Sequence, residues 1–138
     1  MVKRKNKRVI LGIIAIILLI GAAAGGKYVM DLTYYENTMS KLEIGDIDPG
    51  EVKDGTYTGS YDARIIAATV SVTVRDGKIT DIKLLEHKNG RGGPAEDIVD
   101  DILKEQSLDV DVVSGATNSS KAIMKAVENA LESDPVLP

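Results

Sequence analysis

The feature that most limits what this chain can fold into is an uncharged run from Val9 to Gly26, VILGIIAIILLIGAAAGG, 18 residues long. A helix needs about 20 apolar residues to cross hydrocarbon, where every backbone polar group must be satisfied within the segment itself. The run is near the lower limit, and continuing past Lys27 through Tyr28, Val29 and Met30 gives it adequate length. It lacks the polar stripe of a helix that packs on a soluble core. Lys3, Arg4, Lys5, Lys7 and Arg8 precede it with no acid among them, and the positive-inside bias keeps that end in the cytoplasm. Ala22, Ala23 and Ala24 also suit a signal peptidase, so the segment reads either as an anchor or as a cleaved leader, its length favouring the anchor. Both readings place the rest of the chain outside the cytoplasm.

Behind this segment, a chain of 138 residues has room for one ordinary domain. The absence of Cys excludes a disulfide scaffold, a thiolate metal site and a cysteine nucleophile. Past residue 8 there are 12 Lys and Arg against 21 Asp and Glu, a net charge of -9 that disfavours nucleic acid or anionic lipid as a partner. With five Tyr and no Trp or Phe, the core must be built from Val, Ile, Leu and Ala.

The pattern divides the chain into a basic tail (1–8), the membrane segment (9–30), a linker (31–53), a compact domain (54–134) and a short tail (135–138). The linker reads as a helical extension that ends at the turn-forming Asp48-Pro49-Gly50. Residues 56–61 have strand-forming character, and Ala68 to Val74 alternate apolar and hydroxylated positions with period two. Asp76-Gly77 then marks a tight hairpin into a returning strand from Ile79 to Leu85. A glycine-rich loop, Lys88 to Gly93, leads to Pro94, which suits the first turn of a helix. Ala95, Ile98, Val99, Ile102 and Leu103 recur at helical spacing, as do Ile123, Ala126, Val127, Ala130 and Leu131. The expected architecture is α+β: a small antiparallel sheet packed by two helices and preceded by one transmembrane helix. No coiled-coil repeat points to a stable dimer, so a monomer is expected.

The stretch from Asp111 to Ser120, DVVSGATNSS, puts small residues and hydroxyl or amide groups at the entrance of the last helix. Unpaired amides and the helix dipole favour anions there, and Gly115 and Ala116 would let a bulky group approach the backbone. From spacing alone, the favoured reading is that Thr117 or Asn118 is just the N-cap of the last helix.

This stretch resembles the flavinylation motif of the FMN-binding domain family. The resemblance extends to Asp54-Gly-Thr-Tyr-Thr-Gly59, the Val-rich hairpin, Ala95-Glu96 and the helix from Lys121 to Leu131. It implies FMN joined through its phosphate to Thr117, attached by a magnesium-dependent flavin transferase that takes FMN from FAD. The function implied is that of a membrane-anchored redox carrier outside the cytoplasm, passing electrons from a membrane donor to an extracytoplasmic acceptor. Ser114, Ser119 and Ser120 would donate hydrogen bonds to the phosphodiester. Asp111 matches the motif's acidic position, as a recognition point for the transferase, a hydrogen-bond acceptor or a plain turn residue. Tyr57 and Tyr61 are either ring contacts or strand packing residues. Gly90, Gly92 and Gly93 either bring amides to the ring or form an ordinary loop. His87, the one histidine, reads as a partly solvated strand-end residue, and no metal site is expected. The rival reading is an envelope binding or structural module without flavin, in which the SGAT turn only caps a helix.

Overall fold

The apolar run lies within a single helix, α1 (Arg4–Ser40), in a computed structural model that describes residues 4–88 and 93–134. Its large apolar side chains from Val9 to Ile20 are 47–70% exposed, so nothing among the described residues covers them. The helix is long and apolar enough to cross a membrane, and it supplies a membrane anchor. At 1.5 Å per residue α1 extends roughly 55 Å, well beyond the ~30 Å of hydrocarbon. The part past Met30 changes character: Asp31, Leu32, Tyr35 and Thr38 are half-buried and Met39 is buried. These positions form one helical stripe turned towards the domain.

The stretch that follows, expected as the end of a linker, is held against the domain. Ile44, Ile47 and Val52 pack on the core. The Asp46 carboxylate accepts hydrogen bonds from the Ser107 hydroxyl (3.0 Å) and the Leu108 amide (2.9 Å). Lys125 donates to the Glu43 carbonyl at 3.2 Å and pairs with the buried Glu128 at 2.8 Å. Asp48 caps a single 3-10 turn (Pro49–Glu51) by accepting from the Gly50 amide at 2.8 Å.

The sheet is an antiparallel meander of β1 (Gly55–Asp62), β2 (Ala67–Arg75) and β3 (Lys78–Lys88), in that spatial order. Period-two patterning sets its register, because a slip of one residue would turn the valines to solvent. Ala68, Val70, Val72 and Val74 point into the core, while Thr69, Ser71 and Thr73 lie half-buried on the other face. Asp76 (φ 51°) and Gly77 (φ 73°) make the hairpin turn, whose two positive φ angles follow the twist of the strands. β3 outlasts the expected Leu85 because Ala67 still pairs with Lys88.

A 3-10 segment (Gly93–Asp97) precedes α2 (Ile98–Glu105), so the regular helix starts four residues after Pro94. Gln106, left-handed at φ 56°, ends α2. Its side-chain amide bonds both the N–H (2.7 Å) and the C=O (2.8 Å) of Ile79, fastening α2 to β3. α3 (Thr117–Glu132) packs along β1 and β2. Ile123, Val127 and Leu131 meet the valines of β2 in a core whose buried aromatic residue is Tyr57. The architecture is α+β with an N-terminal transmembrane helix, as the periodicities imply. The tail from Pro135 onward lies outside the described residues.

Candidate functional site

The turn before α3 is built around Gly115. Its φ of 79° is one that L side chains rarely adopt, and a Cβ there would meet nothing within 4 Å. The Ala116 amide donates to the Val113 carbonyl at 3.0 Å and closes the turn. The buried Ser120 hydroxyl locks it, accepting from the Val113 amide (3.0 Å) and donating to the Ala116 carbonyl (2.8 Å). Ser120 is thereby committed to the backbone, which corrects its expected role as a phosphate donor. Ser120→Ala is expected to cost roughly 1–3 kcal/mol, because it strands the Val113 amide; chemical denaturation followed by circular dichroism measures it.

The cap position belongs to Ala116 and not, as spacing allowed, to Thr117 or Asn118. Thr117 is therefore the first helical residue, exposed, with a hydroxyl that bonds no other group among the described residues. The amides of Thr117, Asn118 and Ser119 are the helix-start donors that lack intrahelical acceptors. Ser114 and Gly115 are exposed beside them. Ser119 points inward, 2% exposed, and its hydroxyl has no partner among the described residues.

α1 reaches this helix start. The Asn118 side-chain amide donates to the Tyr35 phenol oxygen at 2.6 Å. One turn earlier on α1, Asp31 pairs with Arg64 at 3.2 Å, and the Arg64 guanidinium lies 4.1 Å from the centroid of the Tyr34 ring. Arg64 sits in the tight β1–β2 connection at φ 68°, its amide bonded to the Asp62 carboxylate at 2.6 Å. Lys88, at the end of β3, donates to the Arg64 carbonyl. The β1–β2 connection, the end of β3, the start of α3 and the emerging part of α1 thus meet at one end of the domain.

The remaining candidates divide. Tyr57 is 3% exposed and its hydroxyl donates to the Lys53 carbonyl at 2.6 Å, so it is a packing residue. Tyr61 is half-buried at the α1 end, and its hydroxyl has no partner among the described residues. Burial, with Tyr34 nearby, raises its pKa above the usual phenol value. His87 stands at the strand end as expected, but its imidazole is 3% exposed and lies 3.2 Å from a Glu96 carboxylate oxygen, so it is covered rather than solvated. Gly93 begins the 3-10 segment that packs against α3, while Gly90 and Gly92 lie outside the described residues. Asp111 is exposed on an acidic depression shared with Asp101, Glu105 and Asp109. Among the described residues no group of three or more His, Asp or Glu side chains is placed to hold a metal ion.

Sequence reasoning missed Tyr35, Arg64 and Lys121. The signal for Tyr35 was the spacing of Leu32, Tyr35 and Met39, which continues a helical stripe past the membrane segment.

A three-stranded sheet under two helices, carried on a membrane helix and presenting an unengaged hydroxyl at an anion-favouring helix start, defines a small anchored α+β binding module. Residues 66–132 match the FMN-binding domain family. The chain is 36% identical over 87 residues to an uncharacterized protein of Treponema pallidum (strain Nichols), covering 61% of this chain and 24% of the relative. It is 38% identical over 87 residues to an NADH:acrylate oxidoreductase of Vibrio harveyi, again over 61% of this chain but 9% of the relative. The chain therefore spans less than a quarter of the length of either relative. No solved structure matches it.

The residues fit a flavin phosphate. Thr117 offers an exposed hydroxyl, Gly115 leaves open space beside it, and the first amides of α3 stand ready for phosphate oxygens.

Proposed function

We propose that the protein is a membrane-anchored redox carrier that holds FMN as a phosphoester on Thr117. The observation that carries this reading is the unengaged, exposed hydroxyl of Thr117 at the first position of α3, inside the stretch that matches the FMN-binding domain family. Attachment forms a bond between Thr117 Oγ and the FMN phosphorus of FAD. It breaks the pyrophosphate link, AMP leaves, and the hydroxyl proton passes to the departing phosphate or to solvent. The enzyme supplying this step is a flavin transferase.

The flavin supplies the redox chemistry when bound, and the chain's own contribution is placement. Tyr35 is five residues past Met30, about 8 Å along α1, so its bond to Asn118 holds the start of α3 near the membrane surface. That height favours a membrane donor, such as a quinol or a membrane-bound haem or flavin protein, and an acceptor in the space the domain faces. The five cations from Lys3 to Arg8, ahead of the apolar run, favour that space being outside the cytoplasm.

Intact-mass measurement of the chain, made with and without an active flavin transferase and followed by peptide mapping, tests the proposal. The expected result is a transferase-dependent gain of one FMN less one water, on the peptide that holds Thr117. An unmodified mass, beside a control protein that the same transferase modifies, would leave an envelope binding module as the better reading.

A further inference from the structure

A cleft of about 320 Å³ separates the emerging part of α1 from the first two turns of α3. Tyr35, Glu36, Met39 and Ser40 line one side, Asn118 and Lys121 the other. Its volume is at the lower end of the roughly 300–1,000 Å³ of ligand pockets. Thr117 and Lys121 are four residues apart on α3, which places them on one face of the helix. The attachment point and a cleft wall therefore share a surface.

The lining has the chemistry of a flavin pocket. Tyr35 offers an aromatic face and Met39 a thioether, the apolar partners that a flat heteroaromatic ring takes on its faces. The hydrogen bond from Asn118 fixes the Tyr35 ring in place at 2.6 Å. Asn118, Ser40 and Glu36 present amide, hydroxyl and carboxylate groups for the polar edge of such a ring. Lys121 makes no ion pair among the described residues, and four residues from Thr117 its ammonium is placed to neutralise a phosphodiester.

We propose that this cleft seats the isoalloxazine ring of the flavin, with the anchor helix itself forming one wall and Tyr35 lying against the ring. This inference rests on the reading of Thr117 as the FMN carrier. It makes α1 part of the cofactor site as well as a tether, because the wall exists only while the helix continues past the membrane to Ser40.

Tyrosine and tryptophan in contact with a flavin quench its emission by donating an electron to the excited ring, whereas leucine cannot. The test uses the full chain loaded by a flavin transferase, with the covalent flavin of each variant quantified by mass so that emission is compared per flavin. Wild type is expected to be strongly quenched. Tyr35→Leu should be several-fold brighter per attached flavin, and Tyr35→Trp should stay dark although it too loses the phenol oxygen that Asn118 bonds. A loaded wild type that is already bright, or Leu and Trp variants of equal emission, overturns the placement of the ring and leaves the Thr117 reading intact. A wild type that takes no covalent flavin beside a modified control overturns both.

Discussion

Thr117→Val, produced beside an active flavin transferase, is expected to show the unmodified mass and no flavin surviving denaturing electrophoresis, where the wild-type band fluoresces. Valine keeps the branched shape of threonine and removes the only nucleophilic atom. The structure indicates what else the substitution changes. Had Thr117 been the N-cap of α3, its loss would cost about 0.5–2 kcal/mol of stability. The cap is Ala116, however, and the Thr117 side chain is exposed without a hydrogen bond among the described residues. The expected change in stability is therefore within about 0.5 kcal/mol, as for a surface site free of special contacts. Complete loss of covalent flavin with an unchanged unfolding transition would separate attachment from folding. Covalent flavin retained on the variant would move the link to another hydroxyl, and Ser114 is the exposed one immediately before Gly115 in the same turn.

The fold was legible wherever one residue's side chain decided its own environment. The alternation of Ala68 to Val74 and the Asp76-Gly77 pair specify β2, the turn and its partner strand locally, and the apolar stripes of α2 and α3 do the same for the helices. The site was legible in part. The glycine and small residues around Thr117 announce a close approach to the backbone, but which hydroxyls face outward depends on the turn closing. Ser114 and Ser120 look alike in sequence, yet one is exposed while the other is buried and bonded to Val113 and Ala116. Least legible were contacts between distant parts of the chain. Tyr35 meets Asn118 across 83 positions, and Arg64 meets Asp31 across 33. Charge and periodicity announced neither partner, since an Asp or a Tyr on an exposed helix usually faces water. The decisive clue was that the stripe Leu32, Tyr35, Met39 needed something to cover it.

Gly59→Ala is expected to disrupt the domain more than any comparably small change. A Cβ on residue 59 would lie 2.2 Å from the Ala126 carbonyl oxygen, 2.2 Å from the Ala130 nitrogen and 2.7 Å from the Ala130 Cα. All three are backbone atoms of α3, so no side-chain rotation relieves the overlap and the helix must lift from β1. Lifting it strains two tethers on the same strand, the Asn129 amide on the Ser60 carbonyl (2.9 Å) and the Ser133 hydroxyl on the Thr58 carbonyl (3.5 Å). Overpacking costs about 1–3 kcal/mol where side chains can give way, and this contact belongs at or above the top of that range. In a domain this small, 1 kcal/mol lowers the melting temperature by about 4–8 °C, so a fall of more than roughly 10 °C is expected by circular dichroism. Gly93→Ala is the matched control: nothing lies within 4 Å of the added methyl, and its melting temperature should change little. The same helix carries Thr117 at its start, so Gly59→Ala should also reduce covalent flavin loading, whereas Thr117→Val removes loading and spares the fold. Equal melting of the two alanine variants would mean that α3 does not rest on β1 at Gly59, and the placement of Thr117 beside α1 would lose its mechanical basis.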